Sequence, residues 1–371
     1  MRKLWILLAV SLVMAFAIDQ RDLRLRYAGS RRRESFVTFF LILLLGFFCG
    51  LRTWGNDTGT YLEIYGYLTP VWSDITPQNT PEFSTGLGFF YINSMLKTLG
   101  FTSQDFLMFY AFATAIPYVL FVRKYSRSTV FGVFLMFATG FYTFSLAAIK
   151  QCMATGICLM ALDYALEKKW GRYGLMIFLA MLFHPYALVY FLVPFMMFKP
   201  WGQRTFFCTV LFVGAGFGLE ALLGTVLDIT AMMGATYDET SFTGEGVNIF
   251  RVAVSFVPMA LAFLYGKRLF RDTTRTEDLM FNLAMLNALI MFVGLFGTAN
   301  YFARLANYFL PAQVIVVPWL LRKSHPRDRA WLTTACVLGY TGYFIYEHAI
   351  IRPFDTGYSH MPFWDYISRF I

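Results

Sequence analysis

The stretch that decides the fold runs from Lys150 to His184. It reads K-Q-C-M-A-T-G-I-C-L-M-A-L-D-Y-A-L over 150–166, E-K-K-W-G-R over 167–172 and Y-G-L-M-I-F-L-A-M-L-F-H over 173–184. Two apolar segments flank a basic hexapeptide that is long enough only for a hairpin connection. At ~1.5 Å per residue, the first segment climbs roughly 24 Å and the second returns roughly 18 Å. Lys150 and His184 are therefore predicted near the same membrane boundary, where a polar group on an apolar helix is a candidate functional residue.

The composition extends this pattern to the whole chain. Of its 371 residues, 58% are hydrophobic and only 14% are charged, with a mean hydropathy of +0.55. This is more apolar surface than a soluble domain can bury, and it recurs in runs of helical length. We therefore predict an all-α fold, a polytopic integral membrane bundle of about ten to twelve transmembrane helices. Residues 1–371 are expected to form a single transmembrane domain.

Twelve apolar spans are predicted along the chain, and basic loops alternate with them. The spans are 4–18, 36–51, 105–122, 129–146, 151–166, 173–184, 186–198, 205–223, 251–266, 279–297, 305–321 and 331–347. The spans 173–184 and 186–198 are short, and they are open to a second interpretation as one broken re-entrant pair around His184 and Pro185.

The net charge of +9 is explained by where the cations fall. Of the 31 Lys and Arg residues, 22 lie in six short loops, at 19–35, 123–128, 167–172, 199–204, 267–278 and 322–330. The positive-inside rule places these loops in the cytoplasm and both termini outside, so that a nucleic-acid partner is unnecessary. The five cysteines all fall in apolar segments without zinc-ligand spacing, which argues against both a disulfide framework and a metal site.

This topology leaves two sizeable loops on the outer face. Residues 52–104 form the first, and within it 86–99 is predicted to be an interfacial helix, because a crossing there would move the basic loop 123–128 outside. Residues 224–250 form the second, which is acidic and glycine-containing and is expected to be mobile. The extracytoplasmic loops are thus expected to carry short helices.

Four cations lie at the outer ends of four different apolar spans, against the positive-inside bias. They are Arg52, Lys150, Arg251 and Arg304. Snorkelling to lipid headgroups would explain any one of them, but four at one level indicate an anionic partner. Directly after Arg52, Gly55-Asn56 is a turn signal, and Asp57 is placed to cap a helix that carries Tyr61 and Tyr65.

Three motifs, in order, resemble those of the EpsG family of exopolysaccharide polymerases. G-N-D-T-x-x-Y (55–61) follows Arg52, I-K-Q-x-x-A (149–154) precedes the hairpin that ends in L-A-x-x-F-H (179–184), and R-L-A-N-Y-F (304–309) lies in a late helix. The similarity spans roughly residues 36–325. The chain departs from the family where Lys150 stands in place of the usual Arg, which keeps the charge but loses the bidentate fork for phosphate.

The resemblance implies a Wzy-like polymerase in the bacterial inner membrane, with its active face outside the cytoplasm. Such an enzyme joins oligosaccharide repeat units carried on polyprenyl diphosphate, so both donor and acceptor are lipid-linked, and a chain-length co-polymerase is a candidate partner. Glycosyl transfer then needs a base for the acceptor hydroxyl, either His184 or Asp57, and cations for the departing diphosphate. The predicted substrate-binding residues are Arg52, Lys150, Gln151, Arg251, Arg304, Tyr61 and Tyr308. No metal and no cofactor are expected.

Three other functions compete with this one. A transporter or flippase for lipid-linked saccharides would predict charges through the bilayer depth and an internal repeat, and neither is seen in the sequence. An acyltransferase would need a catalytic residue facing the cytoplasm, and His184 is predicted to face the other way. A lipid-linked oligosaccharide ligase shares the donor chemistry, and only the order of the motifs favours the polymerase.

Overall fold

A computed structural model describes residues 1–27, 35–68, 86–219, 224–225, 228, 246–297 and 299–370. Within these residues the chain is helical almost throughout, which confirms the predicted all-α polytopic membrane fold. Most of the 224–250 loop and the 69–85 part of the 52–104 loop lie outside the described residues. The helices cluster into two compact units, and each is described by itself.

Unit 1 comprises Met1–Met160, Leu179–His184 and Phe344–Ile371. In chain order it begins with α1 (Arg2–Tyr27), α2 (Phe36–Gly50), the short strand β1 (Arg52–Trp54), α3 (Thr58–Tyr67), α4 (Leu87–Thr98), α5 (Ser103–Tyr125), α6 (Thr129–Ala138), a 3₁₀ turn (Thr143–Leu146) and the start of α7 (Ile149–Leu166).

Close packing of α2 against α5 forms the centre of unit 1. Gly46 and Gly50 are four residues apart and both face α5. A Cβ atom at Gly46 would lie 2.4 Å from the Phe112 ring, and one at Gly50 would lie 2.5 Å from the Met108 sulfur. Small residues at this spacing let two membrane helices approach closely. The contact fixes the end of α2 at Gly50, and thereby the position of Arg52 two residues later.

The opposite ends of these helices meet through two carboxylates of α1. Asp22 accepts hydrogen bonds from Arg123 at 2.9 and 3.2 Å, and both side chains are buried. Asp19 accepts from the backbone amides of Thr129 and Val130 and so caps the start of α6. The last turns of α1 therefore lie at the same end of unit 1 as the end of α5 and the start of α6.

Unit 2 comprises Ala161–Phe178 and Pro185–Tyr343. It contains the end of α7, most of α8 (Trp170–Met181), a 3₁₀ helix (Pro185–Met196), α9 (Gln203–Phe217), α10 (Ile249–Ser255), α11 (Val257–Tyr265), a 3₁₀ turn (Gly266–Phe270), α12 (Arg275–Val293), α13 (Ala299–Asn307), α14 (Leu310–Lys323) and most of α15 (Pro326–Ile345).

The predicted hairpin over 150–184 is present, and the chain breaks at its end as expected from Pro185. After α8 ends at Met181, the chain reverses and continues as the 3₁₀ helix from Pro185. The Tyr173 hydroxyl, near the start of α8, donates to the Tyr190 carbonyl, so the two segments run back along each other. Whether 173–184 and 186–198 form a re-entrant pair or two crossings stays a prediction.

A second break separates α13 from α14, whose axes differ by 54°. Pro311 has no backbone N–H, and its ring would clash with the carbonyl four residues earlier, which belongs to Asn307, where α13 ends. Carbonyls at the break have partners, since Asn287 donates to Ala306 at 2.7 Å and Tyr190 donates to Tyr308 at 3.0 Å.

After α15, the chain returns to unit 1 with a π-helical turn (Tyr346–Ile351), α16 (Phe354–Gly357), β2 (Ser359–His360) and α17 (Phe363–Ile367). By length and composition, three described helices are able to cross a membrane, and five if each bent pair counts as one span. The predicted ten to twelve crossings stay a prediction.

Candidate functional site

Arg52 is buried where α2 ends, with 1% of its surface exposed. Its Nη1 donates to the Cys49 carbonyl at 2.6 Å, and its Nε donates to the Thr58 hydroxyl at 3.1 Å. In the described part of the chain, no carboxylate pairs with this guanidinium. Because burying a cation without a counter-ion is costly, an anionic ligand at this position would be strongly stabilised.

The turn after Arg52 has a conformation that few residues tolerate. Gly55 has a φ of +125° and Asn56 a φ of +47°. A Cβ atom at Gly55 would lie 2.2 Å from the Tyr358 ring and 2.5 Å from the Gly357 carbonyl oxygen, so only glycine fits. Asn56 Nδ2 donates to the Tyr358 hydroxyl at 2.7 Å. The predicted turn is therefore present, and the C-terminal segment packs on it.

Asp57 occupies the N-cap position of α3, but its carboxylate makes no capping hydrogen bond. The prediction that Asp57 caps this helix is wrong in that respect, because its backbone (φ −76°, ψ 5°) lacks the extended conformation of capping residues. The side chain is exposed and has no partner among the described residues. A carboxylate in this state is available to a ligand.

Tyr61 and Lys150, far apart in the sequence, contact the same aromatic ring. The Tyr61 ring centre lies 5.9 Å from that of Phe89 in α4, and the Lys150 ammonium lies 5.0 Å from the Phe89 centre. Phe89 also packs on Phe106 and Tyr110 of α5, so its position is fixed. Unit 1 thus brings together one predicted sugar platform and one predicted diphosphate ligand.

The turn that carries His184 is held by the start of α4. Gly88 N donates to the Leu182 carbonyl at 2.7 Å, and Gly86, with a φ of +89°, leaves only 2.7 Å between a Cβ atom and the Phe183 oxygen. His184 follows immediately and is half-buried, and its amide donates to the Ala180 carbonyl. Since Phe89 follows Gly88 directly, both ends of the predicted hairpin meet α4.

Arg52 and Lys150 lie at the same end of unit 1. Cys49 Sγ contacts the Ser145 hydroxyl at 3.6 Å, which joins the last turn of α2 to the segment leading into α7. Gln151 follows Lys150 directly in the sequence and is buried, with 1% of its surface exposed.

Three predicted site residues belong to unit 2. Arg251 lies in the first turn of α10 and Arg304 in α13, both half-buried. Tyr308 lies at the break between α13 and α14, fully buried, with its ring centre 6.2 Å from that of Tyr190. The environment of Tyr308 is that of a core residue of unit 2, whereas the two arginines reach its surface.

Sequence reasoning missed Phe89 and the C-terminal residues Tyr358 and His360. β2 pairs antiparallel with β1, with His360 opposite Arg52. The His360 ring lies against the Phe48 ring at 4.6 Å, and both ring nitrogens are buried without a hydrogen bond of good geometry. Burial, together with the charges of Lys3 and Arg52, lowers the pKa of His360 to about 4, although the Phe48 carbonyl acts in the opposite direction.

No local signal in the sequence could reveal these contacts, because β1 and β2 are separated by about 300 residues. In the described residues, no group of three or more His, Cys, Asp or Glu side chains is arranged to hold a metal ion. All five cysteines are free thiols. The chemistry available at this end of unit 1 is that of a buried guanidinium, an ammonium group, an exposed carboxylate and an imidazole.

A comparison with known families agrees with the three motifs. No curated protein and no solved structure matches the chain. The model of the EpsG family matches residues 35–368, which is nearly the whole sequence and includes the C-terminal segment. This chain therefore belongs to the EpsG family, which comprises Wzy-like polymerases.

Proposed function

We propose that this protein is a polysaccharide polymerase that extends a glycan carried on polyprenyl diphosphate. It transfers the growing glycan from its lipid diphosphate to a hydroxyl of a second lipid-linked repeat unit. The observation that carries the proposal is the buried Arg52, which has no carboxylate partner in the described residues and lies at the same end of unit 1 as Lys150. Two cations at one end of the unit suit a diphosphate, which carries several negative charges.

The reaction forms one glycosidic bond and breaks one sugar–phosphate bond. The acceptor hydroxyl attacks the anomeric carbon of the donor, its proton passes to a base, and the lipid diphosphate leaves with the bonding electrons. Arg52 and Lys150 stabilise the charge that develops on this leaving group. Because the two cations supply that stabilisation, the proposed mechanism needs neither a metal nor a cofactor.

His184 is the proposed base and Asp57 the second candidate. An imidazole titrates near neutral pH, and Pro185 restrains the backbone that carries His184. Asp57 is exposed and without a partner among the described residues, so it is suited to orient the acceptor sugar. Tyr61 offers an aromatic face to a sugar ring beside it. Gln151 of unit 1 and Arg251, Arg304 and Tyr308 of unit 2 remain proposed substrate-binding residues on the motif and charge arguments.

The active end is proposed to face away from the cytoplasm, in the bacterial inner membrane. Gln104 at the start of α5 donates to the Arg52 carbonyl, whereas Arg123 at the other end pairs with Asp22. The 19 residues between Gln104 and Arg123 correspond to about 28 Å of helix, close to the thickness of a bilayer core. The basic loops at the Arg123 end belong in the cytoplasm by the positive-inside rule.

Labelling of single cysteines tests this orientation. A membrane-impermeant maleimide should modify Thr60→Cys, an exposed position of α3, from the outside of the inner membrane. Arg127→Cys, exposed at the other end of unit 1, should react only after that membrane is permeabilised. The opposite pattern would refute the proposed face.

Reconstitution tests the activity. The full-length protein in vesicles would receive the lipid-linked repeat unit that accumulates in cells lacking this protein. A polymerase gives a ladder of lipid-linked chains, a ligase gives a single transfer to a different acceptor, and a flippase moves the unit across the bilayer without extending it. Arg52→Gln should abolish the ladder while the protein stays monodisperse. A normal ladder from this variant would contradict the proposed role of Arg52. A chain-length co-polymerase, if one takes part, would alter the ladder's distribution.

A further inference from the structure

We propose that the C-terminal segment is part of the active site and that Tyr358 is a positioning residue, which fixes the turn carrying Asp57 through its hydrogen bond with Asn56. The C-terminal segment is here residues 354–367, from α16 to α17. The role rests on the proposed function, because the turn it fixes is the one that would orient the substrates.

The turn alone does not determine its own conformation. Gly55 and Asn56 both have a positive φ. Glycine and asparagine adopt such angles in more than one turn geometry, so these two residues alone do not select one. Tyr358 supplies the missing constraint twice, because its ring packs on Gly55 and its hydroxyl accepts from Asn56 Nδ2 at 2.7 Å. Asp57 follows Asn56 directly, so fixing Asn56 through Tyr358 also fixes the position of the Asp57 carboxylate.

The C-terminal segment is itself anchored to unit 1 at several points. β2 pairs with β1, and Met361 N donates to the Leu51 carbonyl at 2.9 Å. The Tyr366 hydroxyl donates to Asp105 Oδ1 at 2.7 Å, and the Tyr366 ring packs on Leu51 and Met108. These contacts hold the C-terminal segment against the end of α2 and the start of α5.

The segment also adds a neutral group beside Arg52 rather than a counter-ion. His360 stands opposite Arg52 in the strand pair, with both ring nitrogens buried and without well-formed hydrogen bonds. A carboxylate at this position would neutralise the Arg52 guanidinium. An uncharged imidazole does not, so the positive charge of Arg52 remains available to a ligand. The segment therefore shapes the surroundings of Arg52 and Asp57 alike.

A hydroxyl deletion tests the positioning role in the vesicle assay described above. Tyr358→Phe keeps the ring on Gly55 and removes the bond to Asn56, so kcat should fall about tenfold, the scale of one lost hydrogen bond. The KM for the lipid-linked unit should change less than twofold, because the diphosphate ligands are untouched. Asn56→Gly removes the same bond from the other side and tolerates the positive φ.

The double variant decides whether the bond itself transmits the effect. Tyr358→Phe combined with Asn56→Gly should be no slower than either single variant, since both remove one interaction. Tyr265→Phe is the matched control, because it removes a tyrosine–carboxylate bond, to Asp328 in unit 2, that has no part in the proposed site, and its kcat should be within twofold of wild type. Multiplicative losses, or equal losses in Tyr358→Phe and Tyr265→Phe, would overturn the positioning role and leave only a general packing effect.

A cross-link examines the docked segment without any enzyme activity. Trp54 and Ser359 are partners in the strand pair and both are exposed, so Trp54→Cys/Ser359→Cys should form a disulfide that neither single variant forms. The oxidised protein should turn over as fast as the same double variant in its reduced form, because the segment stays docked during turnover. An inactive disulfide form that is restored by reductant would overturn a fixed positioning role. No polymer from the wild type would refute the proposed function, whereas normal kcat in Tyr358→Phe beside an active wild type would refute the positioning role alone.

Discussion

The Lys150 ammonium lies 5.0 Å from the centre of the Phe89 ring. An ammonium over an aromatic face is stabilised by about 0.5–2 kcal/mol, depending on how far it is removed from water. The contact joins the start of α7 to α4, and Tyr61 packs on the same ring. It therefore holds a cation beside a predicted sugar platform at the end of unit 1 that contains Arg52.

Lys150 is predicted to bind the diphosphate as a point charge. Lys150→Arg should retain most of the turnover, because it keeps the charge, whereas Lys150→Ala and Lys150→Gln should lose about 10²–10³-fold. The measurement is the initial rate of chain extension in vesicles at matched protein amount. Normal extension by Lys150→Ala would show that the side chain serves only to reach the lipid headgroups.

Phe89 provides the control for the geometry of this cation. Phe89→Leu keeps an apolar side chain but removes the aromatic face, so the ammonium loses its support without losing its charge. We expect a loss of only about 3–30-fold in turnover, corresponding to ~0.7–2 kcal/mol. A loss as large as that of Lys150→Ala would mean that Phe89 itself contacts the substrate.

His184 and Asp57 are predicted to differ in the size of their effects. His184→Gln keeps the size and part of the hydrogen bonding but removes the base, and it should lose about 10²–10⁴-fold in turnover while still binding donor lipid. Asp57→Asn should lose less, because the proposed role of that carboxylate is only to orient the acceptor. Chain-length analysis of the lipid-linked glycan at matched expression separates the two. A ladder from His184→Gln beside single repeat units from Asp57→Asn would reverse the assignment.

His360 is predicted to make the stability of unit 1 sensitive to acid. Its pKa is about 4 when the segment is docked, against about 6.5 in an unfolded chain, so between these values the unfolded chain binds more protons. The docked state is therefore fully stabilised above about pH 6.5 and loses at most ~1.4 kcal/mol per pH unit as the pH falls towards 4. Thermal unfolding midpoints between pH 7.5 and 4.5 measure this loss.

His360→Phe is the matched variant for the acid effect. It keeps a ring of similar size against Phe48 and cannot be protonated, so the midpoint should fall less steeply between pH 6.5 and 4.5 than in the wild type. Lys3 and Arg52 keep their charges across this range and contribute no slope. Equal slopes in both proteins would show that His360 does not titrate in this way.

The buried pair of Asp22 and Arg123 is predicted to be a major stabilising contact of unit 1. Asp22→Asn leaves the buried guanidinium without its carboxylate, and such a change costs about 3–5 kcal/mol. The unfolding midpoint of the detergent-solubilised protein should fall by several degrees. Asp22→Asn combined with Arg123→Leu should recover part of the loss, because no charge is then left buried. An unchanged midpoint in Asp22→Asn would argue that water reaches the pair.

Much of the fold follows from local patterns. The hairpin over 150–184 appears where two apolar runs flank a basic hexapeptide, and α13 ends at Asn307 because Pro311 cannot continue the helix. The charge pattern also predicted that 19–35 and 123–128 share one side of a membrane, and within the described residues Asp22 pairs with Arg123. Each of these rests on interactions between neighbours in the chain or with the surrounding medium.

The candidate site, too, was predicted in part from local patterns and in part could not be. Arg52, Asp57, Tyr61, Lys150 and His184 are site residues predicted from motif and charge, and unit 1 holds them at or near one end. The wrong expectation, a capping bond from Asp57, depended on a backbone angle that the sequence does not specify, because Gly55 and Asn56 leave the turn free to adopt several geometries.

The sequence by itself determined that this chain is a helical membrane protein, where its helices break and which charged residues need an explanation. Hydropathy, helix-breaking residues and charge act locally, so their effects can be predicted without knowing which helices pack against each other. Only the tertiary structure decided that Tyr61 and Lys150 contact the same ring, that of Phe89. It also decided that Tyr358 bonds to Asn56 and that His360 lies opposite Arg52. Contacts between residues about 300 positions apart depend on how whole helices pack, as α2 does on α5 through Gly46 and Gly50. No pattern within the two contacting segments predicts them.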